Sequence, residues 1–360
     1  MGVARVSAAG GEVLVVNAGS TSLKLDLVGE GGDSERVERF EDVDPARPRA
    51  IAHRVVHGGP RFRDPVLIDS AVREQIFETE ELAPLHNARS LEEIDSAREA
   101  LPGLPQVAVF DTGFHATMPP AAVAYAVPRR WREEWGVRRY GFHGISVAWS
   151  VERAGELVED LADARLVVCH LGGGCSVSAV RAGESVDNSM GFSPLEGLPM
   201  ATRSGSVDPD ALLYLMRHRG LGTETLEHAL NFESGLLGLA GHGGDMEAIE
   251  AAAADGDADA LLATEVFAHR CAGAVAAMAA AAGGLDALVF TAGIGEGSAA
   301  VRERVCARLR FLGVALDPRR NAAAVPDCEV AVPSSSVRVL VVRAREELVI
   351  ARAARELLGD

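Results

Sequence analysis

One pattern occurs twice in this chain and constrains its fold more than any other feature. Residues 14–27 read LVVNAGSTSLKLDL, and residues 166–180 read LVVCHLGGGCSVSAV. Each copy opens with an apolar run that reads as a buried strand. It then reaches a polar residue (Asn17 in the first copy, His170 in the second), turns through glycine, and returns as an alternating strand. In the first copy Leu23, Leu25 and Leu27 share one face of the return strand. A pattern repeated at this distance predicts a duplicated half-domain. Glycine and serine in such turns leave backbone N–H groups and hydroxyls able to face an anion, so two of them could hold a polyphosphate. Two ordinary tight hairpins would carry the same short motifs, and the rest of the chain has to decide.

A chain of 360 residues exceeds one comfortable core and suits two domains. Its net charge of −17 argues against a general nucleic-acid binder, which needs a basic face. Arginine and histidine nevertheless gather in a few short motifs, a contrast that suits a small anionic substrate. The N-terminal residues lack the apolar core of a signal peptide. No run of 18 apolar residues occurs, so no membrane span is expected, and residues 272–282 read as a buried alanine-rich helix. Cys169, Cys175, Cys271, Cys306 and Cys328 have no zinc-like spacing and read as free thiols of a reducing cytoplasm. Asp255, Asp257 and Asp259 begin like a calcium loop. Ala260 stands where that loop needs glycine and Val266 where it needs glutamate, so a solvated helix–helix turn is expected instead.

Strands are expected at 51–56, 107–110, 288–291 and 337–342. Helices are expected at 211–217 and 223–230, across 246–282 with a break at 255–257, and at 346–358. Residues 30–48 read as a loop region, and residues 292–297 follow the strand at 288–291. Strands and helices alternate in both halves, which means α/β. The first domain is expected over 11–144 plus 346–360 and the second over 145–345, with a tight boundary near Gly144.

Reactive polar residues end strands or start turns in five segments: HRVVHGG (53–59), PLHN (84–87), FDTGFH (110–115), RRYGFHG (138–144) and PMATRSG (199–205). Polar groups at strand C-termini of open α/β sheets face the ligand crevice. The inventory of arginine, histidine, aspartate, asparagine and lysine suits phosphoryl transfer, in which cations neutralise phosphate oxygens and oxygen ligands hold a divalent metal. Any one of these histidines is more often structural; their recurrence beside glycine turns is what shifts the balance.

These segments resemble the acetate kinase family. The resemblance is carried by VVNAGSTSLK (15–24), HRVVHGG, PLHN, VFDTGFHATMP (109–119), RRYGFHG, HLGGGCS (170–176), MGFSPLEGLPMATRSG (190–205), SGLLGLAG (234–241), FTAGIGE (290–296) and EELVIA (346–351), in family order over nearly the whole chain. It implies two ribonuclease-H-like domains of the actin-like ATPase kind around a central nucleotide cleft, which agrees with the duplication. It implies ATP as phosphoryl donor, acetate as acceptor, acetyl phosphate and ADP as products, and Mg²⁺ (or Mn²⁺) as metal. A cytoplasmic homodimer without nucleic-acid or membrane partners is expected.

By position, Asn17 and Glu346 resemble the metal-associated pair, with Glu347 the fallback. Ser20, Ser22 and Lys24 resemble the first phosphate loop. His170, Gly172, Gly173 and Gly174 resemble the second. Arg54 and Arg203 resemble the pair that grips the carboxylate and the moving phosphoryl group. His143 resembles the transition-state donor, His86 lies at the edge of the site, and Asp111 matches the essential aspartate. Val56, Leu85, Phe142 and Pro194 resemble the methyl pocket, and Gly293, Ile294, Gly295 and Glu296 part of the adenosine site. The chain departs from the family at Gly173 (usually Asn), Val147 (His), Ser206 (Asp) and Gly297 (Asn), and the span from Lys24 to Arg54 is short. A propionate or other short-chain acyl kinase is the near alternative. A nucleotide-dependent switch with weak turnover is the alternative from another class.

Overall fold

The computed structural model describes residues 11–19, 23–79, 84–159, 161 and 163–359, without the side chains of 84–86. The chain forms two compact units, one of residues 1–114 and 345–360, the other of residues 115–344.

The first unit is built on a six-stranded sheet. Its strands are β1 (Glu12–Ala18), β2 (Leu23–Val28), β3 (Ser34–Val37), β4 (Pro48–Val55), β5 (Val66–Leu67) and β6 (Gln106–Phe110), in the order β3-β2-β1-β4-β6-β5. β1, β2 and β3 form an antiparallel meander, β4 and β6 run parallel to β1, and β5 closes the edge antiparallel to β6. The apolar runs of β1 and β4 are buried throughout because both faces of these central strands are covered. Helix Pro84–Ala100 sends Leu91, Ile94 and Ala97 into the core, and helix Glu346–Leu358 returns from the far end of the sequence to pack on β1 and β4.

The second unit repeats the plan. Its strands are β7 (Arg165–Leu171), β8 (Cys175–Arg181), β9 (Glu184–Asn188), β10 (Ala287–Thr291), β11 (Cys328–Glu329) and β12 (Arg338–Val341), in the order β11-β12-β10-β7-β8-β9. Read from the other edge, this is the first sheet strand for strand: an antiparallel meander, two parallel neighbours, and an antiparallel edge. The duplication seen in the two glycine hairpins therefore extends to the whole sheet. Helix Ala258–Ala282 has the length and hydropathy of a membrane span, but buries Phe267, Cys271 and Val275 against this unit's sheet and neighbouring helices.

Two expectations differ from the fold. Residues 30–48 contain β3 and a 3-10 turn at Phe40–Asp42, because Leu25 and Val37 pair across the meander and Phe40 is buried in the core. Residues 115–144 pack with the second unit, not the first. His115 meets Ser185 there at 2.8 Å, and the Arg139 guanidinium donates to the carbonyls of Asn188, Ser189 and Met190.

Candidate active site

In the first unit, three neighbouring parallel strands end in candidate site residues. Asn17 is the second-last residue of β1, Arg54 that of β4, and Asp111 follows β6 directly. The strand order brings them together at the carboxyl edge of the sheet, where ligands bind in open α/β folds. Arg54 donates from Nε to Asp111 Oδ2 at 2.9 Å and from Nη2 to the same oxygen, and from Nη1 to Asn17 Oδ1 at 3.1 Å. Asn17 Nδ2 donates in turn to Glu346 Oε2 at 2.8 Å. Glu346 opens the returning helix, whereas Glu347 turns to Arg345 Nε at 3.1 Å, so it is Glu346 that joins the set. Lys24 lies opposite Asn17 in the β1–β2 register, on the same face.

Burial pushes the Asp111 carboxyl up from its ordinary value, against the pull of the Arg54 guanidinium. Arg54 is shifted up: burial works against its charge, but Asp111 and Glu346 outweigh that. Asp111 is fully buried, yet its Oδ1 has no hydrogen-bond partner. A buried carboxylate oxygen left open in this way, beside a second carboxylate, suits a hard cation that takes oxygen ligands. No group of three or more acidic, histidine or cysteine side chains that could hold a metal occurs among the described residues. The open Oδ1 of Asp111 fits Mg²⁺, which typically binds through one or two carboxylates and fills its remaining positions with water and phosphate oxygens.

In the second unit, the β7–β8 turn carries Gly172, Gly173 and Gly174. A Cβ on Gly174 would come within 2.8 Å of Arg203 Nη2 and 3.2 Å of His143 Nε2, so this glycine lies against both groups. A Cβ on Gly172 would meet Ala292 Cβ at 3.5 Å and Gly293 N at 3.8 Å, which sets the turn against the helix Ala292–Gly297. His143 is held in the left-handed region, at φ 59°, at the start of helix Gly144–Leu157. Its ring stacks on His170 with centroids 4.0 Å apart, its Nδ1 lies 3.0 Å from Ser176 Oγ, and His170 Nδ1 lies 2.8 Å from Ser146 Oγ. Arg203 Nη1 donates to the Pro194 carbonyl at 2.8 Å. Ala292 is also left-handed, at φ 65°. Non-glycine residues kept in that region concentrate at functional sites.

The structure thus gathers Asn17, Lys24, Arg54, Asp111 and Glu346 in one unit, and His143, His170, Gly172, Gly174 and Arg203 in the other. Val56 and Phe142 are buried. Gly293 is exposed, and Glu296 accepts from Ala344 N at 2.9 Å. Ser20 and Ser22 lie outside the described residues, as do the side chains of Leu85 and His86. His53, His57 and His115 from the same motifs are structural. His53 pairs with Gln106, His57 Nδ1 accepts from Gly59 N, and His115 bonds Ser185 and the Phe142 carbonyl. Ser176, the last residue of the expected second phosphate loop, orients His143; sequence reasoning missed Ser146, which orients His170, and Arg302. That arginine is buried and donates to the Gly295, Glu296 and Asn321 carbonyls. Ser146 sits just beyond the segment RRYGFHG, but a lone serine carries no signal by itself.

Of the departures, Gly173 has open space where a Cβ would stand and no left-handed φ. Val147 is fully buried in the helix that His143 opens, and Ser206 Oγ accepts from Gly197 N at 3.0 Å.

A duplicated sheet of this order, with a glycine turn in the second copy and an Arg–Asp–Asn–Glu set in the first, defines an enzyme of the actin-like ATPase fold. The comparisons specify it further. The chain belongs to the acetokinase family, whose model matches residues 36–352. A protein named acetate kinase from Nostoc punctiforme is 44% identical over 330 residues, 91% of this chain and 80% of its own. A propionate kinase from Francisella tularensis superposes with a TM-score of 0.89 at 36% identity, covering 95% of this chain and 98% of its own. An acetate kinase from Porphyromonas gingivalis superposes with a TM-score of 0.87 at 35% identity, covering 97% and 100%.

Proposed function

We propose that this chain transfers the γ-phosphoryl group of ATP reversibly to acetate, giving acetyl phosphate and ADP. The observation that carries this reading is the convergence of Asn17, Arg54, Asp111 and Glu346 at one sheet edge in a member of the acetokinase family.

Acetate is already ionised near pH 7, so it needs no general base. One of its oxygens bonds to the γ-phosphorus as the bond from phosphorus to the bridging oxygen breaks; the electron pair leaves on ADP and no proton moves. The obstacle is bringing one anion up to another. Arg54 in the first unit and Arg203 in the second are the cations assigned to offset that repulsion, and His143 is the donor to the developing charge. Asp111 is not a base in this scheme: it fixes Arg54 and keeps Oδ1 for the metal. Bound Mg²⁺ would neutralise charge on the nucleotide phosphates, with Asn17 and Glu346 as the metal-associated pair and Asp111 holding it through water. Lys24 with Ser20 and Ser22, the turn 172–174 beside His170, and Gly293, Ile294, Gly295 and Glu296 are assigned to ATP. Val56, Leu85, Phe142 and Pro194 keep the apolar role that the resemblance gives them, and His86 its place at the edge.

The Francisella tularensis structure, titled a propionate kinase, supports a second reading in which the favoured acid is one carbon longer. A hydroxamate assay with ATP and Mg²⁺ against acetate and propionate decides both. Acyl phosphate from acetate with the higher kcat/KM is the expected result, and none from either acid would overturn the function.

A homodimer is proposed on helix Pro209–Arg219, which buries none of its residues and leaves the large apolar Leu213, Tyr214 and Met216 41%, 50% and 37% exposed. A second copy covering that apolar face would explain it. Sedimentation should give twice the 37.8 kDa chain mass and Tyr214→Glu should lower it; a monomeric wild type would refute the dimer. A cytoplasmic location is proposed on five cysteines that all remain free of disulfides.

A further inference from the structure

The backbone beyond β4 leaves the sheet just after Arg54, and what holds it there is a side chain from another element. β4 ends at Val55, so the peptide groups of Val56, His57 and Gly58 have no strand to pair with. Buried backbone groups of this kind must find other partners. Asn87, fully buried on helix Pro84–Ala100, supplies them. Its Oδ1 accepts from His57 N at 3.1 Å, and its Nδ2 donates to His57 O at 2.9 Å. One amide thus satisfies both backbone groups of one residue. Its second Nδ2 hydrogen goes to Thr79 Oγ1 at 2.8 Å, and Thr79 passes its own proton to Ile76 O at 2.7 Å. That chain fixes which end of the amide faces which backbone group. Nearby, Gly58 N donates to Thr112 Oγ1 at 3.1 Å and Ser90 Oγ reaches Arg54 O at 3.4 Å.

Val56 is the single residue between Val55, in the sheet, and His57, in the grip of Asn87. It has no backbone latitude of its own while both neighbours are held. We propose that Asn87 is a positioning residue for the acceptor acid: by clamping His57 it fixes Val56 beside Arg54 and so sets affinity for acetate and discrimination against longer acids. Asn87 itself touches no substrate in this scheme. The inference rests on the proposed acyl-phosphate chemistry and on Val56 lining the acceptor pocket.

The test is steady-state kinetics on Asn87→Ala, Asn87→Asp and Thr79→Val in the full chain, with acetate, propionate and ATP each varied and melting temperatures recorded. Asn87→Ala, which loses both bonds to His57, should raise the acetate KM by roughly 5- to 160-fold, the range for two lost neutral hydrogen bonds. The acetate-to-propionate ratio of kcat/KM should fall by about threefold or more as Val56 loosens, within what one methylene is worth. The ATP KM should stay within about twofold. Asn87→Asp adds a signature that general loosening would not produce. An ionised carboxylate repels the His57 carbonyl, whereas a protonated one can donate to it, and burial raises the pKa of such a group. Its acetate KM, relative to wild type at the same pH, should therefore converge on wild type as pH falls from 8 to 5.5. If Asn87→Ala does not fold, Thr79→Val, which keeps both Asn87 bonds to His57 and loses the bond that orients the amide together with the hydroxyl's contacts to Ile76 O and His57 O, should show a smaller change of the same sign. Folded variants with unchanged acetate KM and acid ratio, an acetate defect in Asn87→Asp independent of pH, or an ATP KM rising in step with that of acetate would each overturn the proposal. A wild type that phosphorylates no short carboxylate would instead refute the function on which it rests.

Discussion

Arg54 gives both Nε and Nη2 to one oxygen of Asp111 and leaves the other oxygen without a partner. A purely structural ion pair would be expected to use the two oxygens as a fork. The one-sided grip leaves Oδ1 open for a ligand, and this separates the electrostatic role of Asp111 from its positioning role. Asp111→Asn keeps the shape but loses the charge, so kcat should fall by roughly 10²–10³, the scale for removing one preorganised charge-stabilising group. The Mg²⁺ concentration for half-maximal activity should rise as well. A Mg²⁺ titration of both proteins checks this, and unaltered metal dependence would remove Asp111 from the metal site.

Arg54→Ala and Arg203→Ala should each reduce kcat by roughly 10²–10³. Lysine at either position should restore little, because an ammonium cannot make the several directed bonds that Arg54 makes to Asp111 and Asn17. Rapid-quench turnover of the four variants is the measurement. Near-wild-type turnover in either alanine variant would exclude that arginine from the chemistry.

Gly173 and Gly174 are adjacent and should respond in opposite ways. A Cβ on Gly174 runs into Arg203 and His143, so Gly174→Ala should lower kcat by about tenfold or more. Gly173 has open space and no left-handed backbone, so Gly173→Asn should fold normally. Its added side chain can offer one neutral hydrogen bond to nucleotide phosphate, so the ATP KM should fall by roughly 2- to 13-fold, with the acetate KM unchanged. A raised ATP KM at unchanged melting temperature would mark Gly173 as an adapted residue and direct attention to other phosphoryl donors.

The legible part of this molecule is the part written in local pattern. Asn17 and His170 announced themselves at matching points of two hairpins, and the sheets prove to be copies of one plan. Helix Glu346–Leu358 stands where its amphipathic pattern placed it. What stayed hidden depends on partners distant in sequence. Residues 115–144 join the second unit through the carbonyls of Asn188, Ser189 and Met190, which no periodicity in that segment reveals. Asn87 was visible as part of a motif, but its grip on His57 spans 30 positions. Asn17 and Glu346 were paired through family resemblance; spacing alone could not join residues 329 positions apart.

Acid should destabilise the fold through two structural histidines. Burial lowers His115 and His53 to about 4, from an ordinary value of about 6.5. Between those values the unfolded chain binds protons that the native state does not, so stability falls as pH drops from about 6.5 toward 4. Each histidine contributes up to about 1.4 kcal/mol per pH unit over that window. Urea midpoints at pH 7 and pH 5 should differ accordingly. His115→Gln, which keeps polar contacts to Ser185 and the Phe142 carbonyl but cannot titrate, should flatten the slope. An unchanged slope would show that other groups control acid unfolding.

The first unit is assembled from two separated stretches of sequence, and Glu346 belongs to the later one. A chain still on the ribosome can complete the sheet of the second unit before the helix Glu346–Leu358 has emerged, but not the carboxylate set of the first. The hydrogen bond between Asn17 and Glu346 is therefore withheld until synthesis has passed residue 346. Nascent or prematurely terminated chains would present a core lacking one of its covering helices, and so would be exposed to proteolysis.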